Sequence, residues 1–130
     1  MIEKRLFKRM FVLLIVVAVL SVIDRNLYLT WNFWWFDKMM HFIAGISVGM
    51  AVILTMMYFQ KFLDNKLKML FFSIIGVLIV GLLWELFELY FGITFLSDGL
   101  AYYKDTITDL SMDTIGGILG TIYSYRFIKK

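Results

Sequence analysis

The run from Met10 to Ile23 carries no charged residue. Such a run has few places to go in a folded chain. It is short of the ~20 residues a spanning helix needs, but Leu6 and Phe7 before it, and Leu27 to Leu29 after it, extend it to membrane length. A basic segment precedes it, with Lys4, Arg5, Lys8 and Arg9. That start also suits a signal peptide. No small-x-small cleavage site closes the run, however, and Asp24, Arg25 and Asn26 stand there instead. The sequence therefore predicts an uncleaved first span.

Three more stretches follow the same logic. Within the 130 residues, 62% are apolar, well above the roughly half expected of a soluble domain. The predicted spans are about 7–28, 38–59, 69–91 and 105–128. The expected fold class is an all-α, four-transmembrane-helix bundle, with residues 1–130 forming a single integral membrane domain. The aromatic segment Tyr28–Phe36, and Tyr102 with Tyr103, suit the membrane–water interface. Gly45 and Gly49 form a GxxxG pair suited to close helix contact, and Gly116, Gly117 and Gly120 read the same way. There is no Cys, which excludes disulfides, Fe–S clusters and thiolate zinc sites.

Charge then sets the orientation. Four spans place the N-terminus, the 60–68 link and the C-terminus on one side, with 10 of the 13 Lys and Arg. By the positive-inside rule that side is the cytoplasm, which predicts a bacterial cytoplasmic membrane protein with both termini inside. The formal charge of +3 thus reads as topology rather than as a nucleic-acid footprint.

The acids gather at the other side. Asp105, Asp109 and Asp113 fall at i, i+4 and i+8, on one stripe of the fourth helix. At ~1.5 Å per residue Asp113 lies ~12 Å deeper than Asp105. Asp37 and His41 open the second span, and Glu85 and Glu88 end the third. Helix capping could account for Asp37 and Asp105, but not for Asp109 or Asp113. Glu85 and Glu88 near a helix C-terminus call for a cation or a proton. Ionisable groups at membrane depth are expensive and point to function. The expected site is an acidic pocket open to the extracytoplasmic face. Its metal ligands would come from Asp37, His41, Glu85, Glu88, Asp105, Asp109 and Asp113. A divalent cation suits the excess charge, with Mg²⁺, Mn²⁺ or Ca²⁺ fitting the carboxylates and Zn²⁺ or Fe allowed by His41. One His is too few for a ferritin-like di-iron site, and no P-loop, serine-nucleophile or HExxH motif occurs.

DKMMHF (Asp37–Phe42), WELFE (Trp84–Glu88) and DTITDLSMDTIGG (Asp105–Gly117) together resemble the VanZ-like membrane proteins, above all the YjdF-like inner-membrane group. The resemblance covers spans two to four. By position, that family's polar residues fall on Asp37, Lys38, His41, Glu85, Glu88, Asp105 and Asp109. The chain departs from VanZ itself at Asp113 and at Tyr103–Lys104. The resemblance implies a multi-pass bacterial envelope protein, in a family associated with glycopeptide resistance.

Three functions compete. One is binding of a lipid head group or envelope precursor in the acidic pocket. Another is a metal-dependent hydrolase or transferase on a lipid-linked phosphate substrate. There His41, Asp109 and Glu85 would be catalytic, and Arg25, Lys38 and Lys104 would attract the phosphate. The third is a proton or ion translocator. Against it, the other halves of spans two to four hold no ionisable side chain but Tyr58, Tyr123 and Tyr125.

Overall fold

The computed structural model describes residues 2–61 and 63–128, with the side chain of Ile2 excepted. Lys129 and Lys130, which contribute to the predicted basic side, lie outside the described residues. Four long helices carry the fold: α1 (Ile2–Leu27), α3 (Trp34–Phe59), α4 (Lys66–Tyr90) and α5 (Leu100–Ile128). A single turn of helix, α2 (Leu29–Asn32), links α1 to α3, and a 3₁₀ turn at Leu96–Asp98 precedes α5.

Local chemistry sets the breaks. Tyr28 adopts a left-handed conformation, φ 52°, and ends α1. Asp24 then reaches across the break. Its carboxylate accepts from the Thr30 backbone N–H at 2.6 Å and from the Thr30 hydroxyl at 2.9 Å. Gln60, also left-handed, ends α3 while the Lys61 N–H returns to the Met56 carbonyl. Asn65 caps α4 by accepting from the Lys68 N–H. Gly92, at φ 66°, follows α4, where few other residues would be free of strain.

The helices begin earlier than the predicted spans, at residues 2, 34, 66 and 100. Hydropathy marks the stretch that fits hydrocarbon, whereas the hydrogen-bonded helix runs on through its polar ends. The difference corrects one expectation. The N-cap of α3 is Phe33, with Asp37 inside the first turn, and Asp105 lies within α5. Neither acid is spent on capping.

Three helices, Glu3–Leu27, Trp34–Phe59 and Lys66–Tyr90, are long and apolar enough to cross a membrane. α5 is of similar length but less apolar. α3 sits at the centre, with α5 its most intimate partner, α1 on another side, and α4 packed on α5 and α3.

Three layers follow one another along the bundle. At the basic end Leu6, Met10, Met50, Ile53, Met56, Met57 and Met69 form an apolar core. In the middle, α3 and α5 meet backbone to backbone. A β-carbon at Gly45 would strike the Asp113 carbonyl, one at Gly49 the Gly117 carbonyl, one at Gly116 the Phe42 carbonyl, and one at Gly120 the Ile46 carbonyl. Lipid tails are as apolar as the side chains, so van der Waals packing of this kind drives helix association in a bilayer. Thr121 and Ser73 hydrogen-bond across α5 and α4 in the same layer, both fully buried. The third layer is ionic.

Candidate functional site

The ionic layer is built from two helical stripes. On α3, Asp37, Lys38 and His41 lie within one turn of each other; on α5, Asp105, Asp109 and Asp113 are each one turn apart. The glycine seam below brings the two stripes face to face, and they interlock. The Lys38 ammonium lies 2.5 Å from Asp105 Oδ1, 2.5 Å from Asp109 Oδ1 and 3.2 Å from Asp37 Oδ2. His41 Nδ1 lies 3.2 Å from both Asp113 carboxylate oxygens. Its Nε2 lies 3.9 Å from Asp37 Oδ1 and 3.9 Å from Asp109 Oδ2.

The division of oxygens matters. Asp37 and Asp109 each give one oxygen to Lys38 and turn the other toward His41 Nε2. With Asp113 accepting at Nδ1, the imidazole is fixed in orientation, and Nε2 faces the two carboxylate oxygens. Asp37, His41 and Asp109 can each offer one ligand atom, all within 4.8 Å of one another. Adjacent ligands at about 2.1 Å on a tetrahedral ion lie about 3.4 Å apart, so the two 3.9 Å separations would have to shorten by about 0.5 Å for one cation to bridge them. An imidazole whose other nitrogen is held by a carboxylate is the usual outer-shell arrangement of a metal-bound histidine.

Burial is deep. Asp109 is 2% exposed, Glu85 5%, Asp113 6% and His41 7%. The expected open pocket is therefore a closed cluster, drawn shut by Lys38. It meets the surface mainly at one edge, where the side chains of Asp105 and Asp37 are 50% and 25% exposed. Grooves of about 660 and 410 Å³ lie elsewhere.

The other expected residues divide. Glu85 faces α5, accepting from the Thr106 hydroxyl at 2.8 Å through Oε2, while its buried Oε1 finds no partner among the described residues. Glu88 is taken by its own helix, where the Trp84 indole N–H donates to it at 3.0 Å. Arg25 and Lys104 are exposed at the ends of their helices and take no part in these ion pairs. Lys38, expected to attract a phosphate, is turned inward as the countercharge of three aspartates. Thr106 and Gly81 were not anticipated. A β-carbon at Gly81 would crowd Asp113 Oδ2, so this glycine makes room for the carboxylate. Thr106 carries a signal in its position, three residues before Asp109 on the same face.

Chemically, two carboxylates and one imidazole, aligned by an ammonium and a third carboxylate, can hold a divalent cation, or a proton can be held between His41 and Asp113. No curated protein and no solved structure matches the chain significantly. A family model does match, over residues 4–130, and the chain belongs to that family, DUF2238, predicted membrane proteins.

Proposed function

We propose that the chain is a four-span protein of the bacterial cytoplasmic membrane, both termini inside, whose α3–α5 cluster holds a divalent cation at the extracytoplasmic face. That cation would bind the phosphate or carboxylate of a lipid head group or envelope precursor. The observation that carries this reading is the convergence of Asp37, His41 and Asp109 within 4.8 Å, with Lys38 and Asp113 orienting the three. The donor set suits Mn²⁺, Mg²⁺ or Zn²⁺. The half-exposed Asp105 edge would be the way in, and Arg25 and Lys104, free of the cluster, would meet the anionic ligand.

Two points support α5 as the fourth span. Its outward face presents Ile107, Ile115, Leu119 and Ile122. Its outward hydroxyls, Thr108 and Ser111, are bonded to the helix's own carbonyls at 2.6–2.8 Å, which removes most of their cost in lipid.

A second reading, a metal-dependent hydrolase or transferase, is favoured by one observation. Glu85 Oε1 is buried without a partner among the described residues, as a carboxylate held for proton transfer would be. A translocator is disfavoured, because the Met50, Ile53, Met56, Met57 and Met69 core offers no proton or ion a foothold.

Metal analysis of detergent-purified protein tests the proposal. About one divalent ion per chain is expected in the wild type and much less in Asp109→Asn. Equal, substoichiometric metal in both, with no stabilisation by added Mn²⁺, Mg²⁺ or Zn²⁺, would overturn it.

A further inference from the structure

At the opposite end of the bundle α1 packs on α3 and leaves a groove beside α5. The groove has a volume of about 660 Å³. Its walls are apolar: Val12 and Leu13 of α1, Ile46 of α3 and Tyr123 of α5. Its mouth is basic, formed by Arg5, Lys8 and Arg9 on one side of α1. Arg9 is already engaged, its guanidinium 5.6 Å from the Tyr123 ring centre and 5.3 Å from that of Phe127. This contact ties α1 to α5 and closes the mouth from one side. Arg5 and Lys8 remain exposed at the rim.

We infer that this groove is a binding site for one anionic phospholipid of the surrounding bilayer. The lipid phosphate sits between Arg5 and Lys8, and an acyl chain lies along Val12, Leu13 and Ile46. The argument is one of matched halves. Arg5 and Lys8 lie just outside the uncharged run that begins at Met10, which sets them at head-group depth. The apolar walls continue from there toward the bilayer centre. A zwitterionic lipid would fill the walls but bring its own cation up against the basic rim, and a soluble anion would answer the rim but leave the walls empty. Basic recesses between spanning helices are favourable for anionic head groups. The inference is independent of the cation site at the other end and of which leaflet the basic end faces.

The experiment counts lipids retained by purified protein reconstituted into nanodiscs of phosphatidylglycerol or phosphatidylcholine, by native mass spectrometry. Wild type is expected to retain one phosphatidylglycerol in preference to phosphatidylcholine. Arg5→Gln with Lys8→Gln is expected to lose that preference by roughly tenfold or more. Lys4→Gln with Lys61→Gln changes the net charge equally but touches no groove residue, and should retain it. Val12→Trp fills the groove, leaves both charges in place and should lose it, so the test stands even if the rim variant fails to fold. Equal loss in the two charge variants, or retention by Val12→Trp, would overturn the inference in favour of diffuse attraction to the membrane surface.

Discussion

α1 and α5 are helices of similar length, 26 and 29 residues, built on opposite plans. α1 is apolar nearly all round. Phe7, Phe11, Ile15, Val19 and Val22 are exposed, and its one hydroxyl, Ser21, donates to the Val17 carbonyl. It touches the bundle along one narrow stripe. α5 carries polar residues on both sides, but it buries Asp109, Asp113, Thr121 and Ser124 together with Gly116, Gly117 and Gly120. α1 holds an uninterrupted stretch apolar enough to cross a membrane, and α5 does not. The difference teaches that a helix can bury costly groups without an apolar average, provided its inside can satisfy what it hides. In α5 the satisfaction is specific: glycines for backbone contact, a hydroxyl pair, and an ion-pair cluster.

That contrast can be broken at its strongest point first. Gly49→Leu forces a side chain into the Gly117 backbone. It should cost at least about 3 kcal/mol and separate α3 from α5, read as loss of the cooperative thermal transition in detergent. Ala18→Leu on exposed α1 enlarges a side chain by the same kind of step and should leave the transition in place. Equal effects would mean that the seam is not what holds α5.

Next comes the charge. Lys38→Met strips the countercharge from Asp109 and Asp105 and should cost about 2–3 kcal/mol. That is somewhat less than a fully buried pair, because Asp105 is half exposed. Arg25→Gln, at the exposed end of α1, should not measurably change the melting temperature. If Arg25→Gln were the more damaging, the countercharge would have been assigned to the wrong residue.

The smallest effect sharpens the link to α4. Thr106→Val removes the donor to Glu85 Oε2 and should cost about 1 kcal/mol. A stabilising change would show instead that Glu85 is held by another group.

Much of this was legible in the sequence. The i, i+4 spacing of Asp105, Asp109 and Asp113, and of Asp37 and His41, fixed which side chains share a face, because helix periodicity is local. GxxxG announced close contact for the same reason. The role of Lys38 was not legible. Its position beside Asp37 allows it to snorkel outward or fold inward, and only the approach of α5 decides. Glu88 and Glu85 looked alike on one helix. They part because Trp84 lies one turn before Glu88, while Thr106 is supplied from α5. A surplus of acids at one end suggests an open pocket, but that surplus takes no account of how tightly a single ammonium can gather three carboxylates.

Whether α5 crosses the membrane is the claim on which the cluster's placement rests, and the absence of cysteine makes it directly measurable. Single cysteines at Ser97, before α5, and at Arg126, near its end, would be treated in intact cells with a membrane-impermeant thiol reagent. The account predicts labelling at Ser97→Cys without permeabilisation, and at Arg126→Cys only after it. Labelling of both from the same side would contradict it.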